Sequence, residues 1–258
     1  MKKIKNKGKK VFLLIGIIIV IIVAVFGYLI VDDLKQEDIL KQEIVNVSNK
    51  DLVTGNFEIE VKTKGDYAYI EEAIKNYYKK LSDNIKVLNN YLTNEDLMNV
   101  LSADNINRDG PSFTNSYKLL SDTKASSTNA MNEIVDLCKE ETIKNLLDKK
   151  KVDDYSYELY LDLMYSKDDL ADMKIISDDM QELSNNLNTF LDKVINILNF
   201  LERNASAWSI EEGQLYFTST ALVNEYNNLY NDLTEFSKNS FSDINNSYSR
   251  KTMTNSNV

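Results

Sequence analysis

An uncharged apolar run occupies residues 11–31 of this 258-residue chain. Its sequence, VFLLIGIIIVIIVAVFGYLIV, has 21 residues and no charged side chain. A helix rises about 1.5 Å per residue, so the run spans about 30 Å as a helix, which matches the hydrocarbon core of a bilayer. The sequence therefore predicts a single transmembrane helix at Val11–Val31 and leaves residues 32–258 to form the folded part.

The charges that flank this helix predict its orientation. Residues 1–10 form a lysine-rich leader with six lysines, whereas Asp32 and Asp33 follow the helix. Because lysines next to a membrane helix stay on the cytoplasmic side, the leader is predicted to be cytoplasmic and the C-terminal part extracytoplasmic. The alternative is a cleaved signal peptide with its cleavage site near Val25-Phe26-Gly27. The apolar run is longer than the usual signal core, which favours a retained anchor.

The part of the chain after the anchor is acidic. The leader holds six of the 30 basic residues and none of the 40 acidic ones, so 24 basic and 40 acidic groups remain, a net charge of −16. Such a surface repels nucleic acid and anionic lipid headgroups, so no nucleic-acid partner is predicted. The many Lys, Asn, Ile and Tyr residues are typical of AT-rich genomes and favour a bacterial cell-envelope protein.

Histidine is missing from the sequence, and Cys138 is its one cysteine. A single cysteine cannot form an internal disulfide, and the commonest general base and metal ligand is lacking. We therefore predict a protein that is not an enzyme, with no catalytic, cofactor-binding or metal-ligating residues and no cofactor. Cys138 is predicted to be a buried apolar group, with a thiol that links a partner as the alternative.

Long amphipathic helices dominate the remaining sequence, which has one proline and seven glycines to interrupt them. Four long helices are predicted, at Asp66–Leu92, Phe113–Lys150, Asp168–Asn204 and Thr218–Lys238. Shorter helices are predicted at 34–47, as a stalk, and at Thr93–Ser102. Spacings of three and four residues, typical of a coiled coil or bundle, relate Met173, Ile176, Met180, Leu183, Leu187, Phe190, Val194, Ile197 and Leu201 in the third of these.

Two segments alternate apolar and polar residues as strands do. FEIEVKT, residues 57–63, is predicted to be one strand, and residues 208–217 are predicted to form two strands around Glu212-Gly213, anchored to the helices by Trp208. The two segments are predicted to pair as a small sheet at one end of the bundle. Residues 155–165 fit either a helix or a strand, and the long helices around them favour a helix.

The predicted architecture is therefore mainly α. An N-terminal transmembrane helix is followed by an extracytoplasmic, elongated bundle of about four long helices at 32–240, with a small β-hairpin or sheet. Residues 241–258 are rich in Ser and Asn and are predicted to be a disordered polar tail.

Three kinds of motif suggest chemistry but are incomplete. Asn105–Ser116 begins like an EF-hand loop but ends in Ser116, where a bidentate Glu is needed, so an ordinary turn is predicted. Ser121–Lys124 fits S-x-x-K and Ser82–Asn84 fits S-D-N, as in penicillin-binding proteins, but their order is reversed and no K-T-G follows. Acidic doublets such as Asp153-Asp154 are predicted to lie on solvated faces or at helix starts.

Residues 121–130, SDTKASSTNA, interrupt the apolar pattern of the second long helix. This polar stretch is predicted to be solvent-exposed or to separate two helices, and a polar cleft lining is the alternative. The leading functional hypothesis is a non-catalytic, membrane-anchored interaction or scaffold protein with protein partners in the cell envelope. The alternative is an extracytoplasmic ligand-binding or sensor module that works with a membrane partner and uses this stretch as its pocket.

Overall fold

The computed structural model describes the backbone of residues 38–165 and 167–255 and the side chains of residues 39–165 and 169–240. Of these residues 76% are helical, and their one sheet is a two-stranded antiparallel hairpin, which confirms the predicted mainly α class. The elements are α1 (Asp38–Ser48), α2 (Asp66–Leu92), α3 (Glu95–Met98), α4 (Ala103–Asp109), α5 (Thr114–Leu137), α6 (Glu140–Leu146), α7 (Asp154–Met164), α8 (Lys167–Arg203), β1 (Trp208–Glu211), β2 (Gln214–Phe217) and α9 (Thr220–Asn255).

The described residues form two compact units. Unit A comprises residues 38–89 and Asn129–Glu182, and it contains α1, most of α2, the C-terminal end of α5, α6, α7 and the first part of α8. Unit B comprises Asn90–Thr128 and residues 183–255, and it contains α3, α4, the rest of α5 and α8, the hairpin and α9. Each unit has its own buried apolar residues.

The apolar stripes of the two clearest predicted helices are buried as expected. In α8 all nine stripe positions from Met173 to Leu201 are at most 4% exposed. Burial of a leucine-sized side chain contributes about 1.5–3 kcal/mol, so each stripe is a large part of the driving force for folding. In α2 the first predicted stripe position, Tyr67, is half-buried, and the buried positions are Ile70, Ile74, Tyr77, Leu81, Ile85, Leu88 and Leu92.

The predicted helix at Phe113–Lys150 is wrong in its length, because the structure has two helices there. α5 ends at Leu137 and α6 begins at Glu140. Cys138 and Lys139 form the turn between them, where the Cys138 N–H bonds to the carbonyls of Ile134 and Val135 at 3.2 Å. Two glutamates then occupy the first turn of α6, where negative charge stabilises the positive end of a helix.

Residues 155–164 are helical, as favoured, because they belong to α7, and Tyr165 follows its last turn in an extended conformation. Asp153 caps this helix, since its Oδ1 accepts from the Ser156 N–H at 2.7 Å. Tyr160 is fully buried in unit A, and its hydroxyl donates to the Ile143 carbonyl at 2.6 Å. A strand would have placed alternate residues on opposite faces and would have given up this inward tyrosine contact.

The hairpin forms at 208–217 as predicted and packs within unit B. β1 pairs with β2 in the register Trp208 to Phe217 and Glu211 to Gln214. The Trp208 Nε1 donates to the Leu201 carbonyl at 2.7 Å, and its ring stacks on Phe113 at 6.3 Å between centroids. Trp208 therefore anchors the hairpin to the helices of unit B, which confirms its predicted role.

The hairpin turn contains an unfavourable residue. Glu212 and Gly213 have φ of 48° and 70°, so both central positions are left-handed, as a type I′ turn requires. Asn tolerates this region better than Glu because its short side chain bonds locally. We expect Glu212→Asn to raise the free energy of unfolding by about 0.5–1 kcal/mol. Urea unfolding measures this, with exposed Glu211→Gln as the control, and an unchanged midpoint for Glu212→Asn would contradict it.

The strand predicted at residues 57–63 is wrong. Residues 55–64 have no regular secondary structure, and the sheet of the described chain contains only β1 and β2. The predicted pairing with residues 208–217 does not occur either, because in the described chain β1 and β2 pair only with each other. Side chains of α1 and α2 bind the segment in place of a neighbouring strand.

The C-terminal helix is longer than the sequence predicted. α9 runs to Asn255, so it continues through most of the segment that composition predicted to be a disordered tail from residue 241. None of the helices within residues 38–255 has the length and apolarity needed to cross a bilayer. The predicted leader at 1–10 and anchor at Val11–Val31 lie outside the described residues.

Candidate functional site

The extended segment, residues 57–63, is held on unit A at its first residue by an aromatic contact. Phe57 is only 5% exposed. The ammonium groups of Lys50 and Lys86 lie 5.4 Å and 5.7 Å from its ring centroid. Both lysines also bind the backbone just before it, since Lys50 donates to the Asn56 carbonyl and Lys86 to that of Gly55, at 2.6 Å and 2.7 Å.

A buried carboxylate on α2 binds the other end of the segment. Glu71 has no solvent exposure. Its two oxygens accept from the Lys62 N–H at 3.1 Å and 3.0 Å, and one accepts from the Thr63 N–H at 2.8 Å. The Thr63 hydroxyl donates to the same carboxylate at 2.6 Å. The carboxylate thus satisfies two backbone donors that a neighbouring strand would otherwise bind.

One buried lysine joins three parts of unit A. Lys75 Nζ donates to Glu71 at 2.5 Å, to Glu43 of α1 at 2.7 Å and to the Glu60 carbonyl at 2.6 Å. An ammonium group has three donors, and all three are used. Lys62 Nζ adds a bond of 2.9 Å to the second oxygen of Glu43. We call Glu43, Lys62, Glu71 and Lys75 the charge cluster, and its formal charges cancel.

The charge cluster favours the ionised form of each buried member. Hydrogen bonds from Lys75 and Lys62 lower the pKa of Glu43 from 4.5 to about 2. Burial alone would raise the pKa of Glu71, but hydrogen bonds from Lys75 and Thr63 outweigh it and the pKa is lowered. Burial likewise works against the charged form of Lys75, yet its bonds to Glu43 and Glu71 raise its pKa. These groups are therefore fixed charges near neutral pH.

This charge pattern predicts a loss of stability in acid. The folded-state pKa of Glu43 is depressed, so its contribution is complete above the unfolded value of about 4.5 and is lost as pH falls through about 2. We expect the free energy of unfolding to fall over this window, and to fall less steeply in Glu43→Gln. Urea unfolding between pH 7 and pH 2 tests this, and equal slopes for the two proteins would contradict it.

The middle of the extended segment is exposed and apolar. Ile59 and Val61 are each 38% exposed, and the acidic residues Glu58 and Glu60 beside them are also exposed. In the part of the chain that the structure describes, no hydrogen bond reaches the backbone groups of Ile59 or Val61. A segment with unbonded backbone groups is a form that an added strand from another chain can bind.

The EF-hand-like stretch has a structural role. Asn105–Asp109 belongs to α4, so its oxygens do not form a loop around a cation. Asp109 Oδ2 accepts from the Ser116 N–H and hydroxyl, both at 2.7 Å, and Oδ1 accepts from the Asn115 N–H at 3.2 Å. Asp109 therefore binds backbone N–H groups in the first turn of α5. Among the described residues, no group of three metal-binding side chains is positioned to hold an ion.

The two serine motifs also have structural partners. The buried Ser82 hydroxyl donates to the Leu52 carbonyl at 2.8 Å in unit A. Lys124 forms an ion pair with Asp192 of α8 at 2.6 Å in unit B. Ser82 and Ser121 belong to different units. The serine of one motif and the lysine of the other are thus each bound to a group outside the motif.

The polar stretch at 121–130 is neither exposed throughout nor a break between helices. α5 continues through it, and Thr123 and Ser127 are fully buried. The Ser127 hydroxyl donates to the Thr123 carbonyl at 2.6 Å, and Thr128 and Asn188 of α8 bond to each other at 3.1–3.2 Å. The expectation of an exposed or broken stretch was therefore wrong, because the helix is continuous and two of its small polar residues are buried.

Cys138 is buried, as the sequence predicted. Burial raises the pKa of its thiol to about 12, so little of the reactive thiolate exists near neutral pH. Tyr77 and Tyr78 of the same unit are also buried, with their rings edge-on at 5.7 Å between centroids. This region is part of the core of unit A.

Comparison with known proteins adds no family to this description. No family model matches the sequence, and neither curated proteins nor solved structures give a significant match. The charge cluster and the extended segment that it holds are thus the features on which a functional argument can be built.

Proposed function

We propose that this chain is a membrane-anchored, extracytoplasmic interaction or scaffold protein of the cell envelope, and that it binds protein partners without catalysis. The observation that carries the proposal is the extended segment at 57–63. Two buried charges, Glu71 and Lys75, hold it in place without a partner strand, and Ile59 and Val61 are partly exposed to solvent. Burial of charges destabilises a fold unless the charges are fully bonded. A connecting loop does not need such an arrangement, which favours a functional role for the segment.

The membrane part of the proposal rests on the sequence. The uncharged run Val11–Val31 has the length of a membrane helix, and the lysines of residues 1–10 favour a cytoplasmic N-terminus. The acidic part that follows would then lie outside the membrane. A surface with a net charge of −16 stays well dispersed beside an anionic bilayer, which suits a tethered domain.

The non-catalytic part rests on where the reactive groups lie. Catalytic carboxylates and lysines need shifted pKa values together with access to a substrate. In unit A the buried charged groups with shifted pKa values, Glu43, Glu71 and Lys75, bind one another and the backbone of the extended segment. The thiol of Cys138 is buried and protonated. These placements support a structural use of the charged residues.

A ligand-binding or sensor module is the second candidate, and one observation favours it. The Thr123 hydroxyl is fully buried and has no hydrogen-bond partner among the described residues. A small polar ligand in unit B would satisfy it. Thermal unfolding distinguishes the two proposed functions. A ligand that binds Thr123 would raise the melting temperature of the wild type and leave that of Thr123→Val unchanged.

Cysteine labelling tests the proposed topology. We place a cysteine at Ser256 and treat intact cells with a membrane-impermeant maleimide. The parent is the control, since its buried thiol has a pKa of about 12 and should not react. We expect labelling of Ser256→Cys without lysis and none of the parent. If Ser256→Cys reacts only after lysis, the proposed orientation is wrong.

A further inference from the structure

We propose that the extended segment, residues 57–63, pairs with the same segment of a second copy of this chain as an antiparallel two-stranded ribbon with Val61 opposite Val61. The inference rests on the proposed function and deepens it, because it names the contact surface and the partner. It is carried by two observations, which are the open backbone edge of the segment and the order of the charges along it.

The backbone of the segment has one bound edge and one open edge. The Glu60 carbonyl and the Lys62 N–H both bond to side chains of α2. In an extended chain the backbone groups of successive residues point to opposite edges. This alternation places the N–H and C=O groups of Ile59 and Val61 at the other edge, where no bond within the described chain reaches them. Thr63 departs from the alternation, because its N–H bonds to Glu71 as well, so a strand pair that extends to Lys64 must release this bond. A second strand would satisfy these groups.

The charges of the segment select an antiparallel copy of itself. The order is Glu58, Glu60, Lys62 and Lys64 on alternate positions. With Val61 opposite Val61, Glu60 faces Lys62 and Glu58 faces Lys64, and two-fold symmetry repeats both pairs. Opposite charges across a strand pair contribute about 0.2–1 kcal/mol each, and like charges oppose pairing.

Other arrangements of the two segments lose this match. A parallel pair in register would place each charge beside its own copy. An antiparallel pair centred on Ile59 would place Glu58 opposite Glu60 of the other chain, and both are exposed acids. Lys62 remains available for its new partner, because its side chain is 51% exposed although it bonds to Glu43. The sign pattern therefore fixes both direction and register.

Charge exchange tests this register in the full chain. Glu58→Lys alone sets the introduced lysine against Lys64 twice in a dimer, and Lys64→Glu alone sets the introduced glutamate against Glu58 twice. We expect each variant in detergent to dimerise about tenfold more weakly than wild type, by sedimentation. In an equimolar mixture both pairs become attractive, so heterodimers should regain wild-type affinity. A folding defect could not be repaired by mixing, and two variants that stay monomeric together would overturn the proposal.

A cysteine at the proposed two-fold axis gives a second, independent readout. Residues opposite one another in a hydrogen-bonded antiparallel pair lie about 5.5 Å apart at Cα, within reach of a disulfide. We expect oxidised membranes to contain a disulfide-linked homodimer of full-length Val61→Cys. Tyr155→Cys, at a residue of unit A that is 65% exposed, is the control and should remain monomeric.

The outcomes separate this inference from the proposed function. A homodimer formed by Val61→Cys and not by Tyr155→Cys supports the self-pairing. If Val61→Cys crosslinks only to other proteins, the self-pairing is wrong and the proposed interaction function stands. If it crosslinks to no protein at all, the self-pairing and the proposed use of this surface both fail.

Discussion

Lys75→Met is expected to destabilise the protein by about 3–5 kcal/mol, because removal of one member of a buried ionic cluster leaves charges without compensation. Glu71 is fully buried and Glu43 is only 8% exposed, so water cannot replace the lost ammonium group. The Glu60 carbonyl loses its donor as well. Urea unfolding of the full chain in detergent, followed by circular dichroism, measures the change.

Lys79→Met is the matched control for this prediction. Lys79 lies one turn further along α2 and pairs with Asp83, but both side chains are largely exposed, at 43% and 54%. Such a pair contributes a few tenths of a kcal/mol, so Lys79→Met should unfold nearly like wild type. Adding Glu71→Gln to Lys75→Met removes one uncompensated charge and should recover part of the loss. Equal midpoints for Lys75→Met and Lys79→Met would show that the cluster is not buried in solution.

Leu187→Asp is expected to lower the free energy of unfolding by at least about 3 kcal/mol. Leu187 is 1% exposed in the middle of the α8 stripe in unit B. The change removes apolar contacts and places a carboxylate in an apolar interior, and both effects destabilise the fold. Thermal and urea unfolding of the same protein preparation measure it.

Asn185→Asp controls for the added charge on the same helix. Asn185 is exposed, two residues before Leu187. A carboxylate there stays in water, so the expected change is within about 0.5 kcal/mol. If Leu187→Asp and Asn185→Asp unfolded at the same urea concentration, the assigned buried face of α8 would be incorrect.

Helix periodicity could be predicted from the sequence because long stripes leave few alternatives. Every stripe position assigned to α8 is buried, and the turn at Glu212-Gly213 was evident from the glycine between two alternating segments. Tyr78 shows what helix periodicity does not predict. It lies off the stripe assigned to α2 but is 1% exposed, because a helix surrounded by others buries more than one narrow face.

The environment of the extended segment could not be predicted, because alternating apolar and polar residues indicate an extended backbone but do not show which groups bind it. Residues 57–63 have the pattern of a strand, and the structure binds them through Glu71 and Lys75. In the sequence these two residues form an ordinary i, i+4 pair, which is usually exposed on a helix. Their positions directly after Ile70 and Ile74 of the buried stripe are a weak signal. The contribution of Glu43 depends on tertiary contacts that no local pattern reports.

The polar stretch at 121–130 was misinterpreted for a related reason. Ser and Thr were taken as polar, yet Thr123 and Ser127 are small side chains and are fully buried. The Ser127 hydroxyl bonds to its own helix, which removes most of the penalty for burial. Size decided these positions more than polarity did.

Site-specific photo-crosslinking in native membranes tests the central claim most directly. Ile59 of the extended segment and Ile175 of α8 are almost equally exposed, at 38% and 39%, and both belong to unit A. We place the same photoreactive side chain at either position in the full chain. The proposed interaction surface predicts protein adducts from Ile59 and none from Ile175. No protein adduct from Ile59, or the same adducts from both positions, would contradict it.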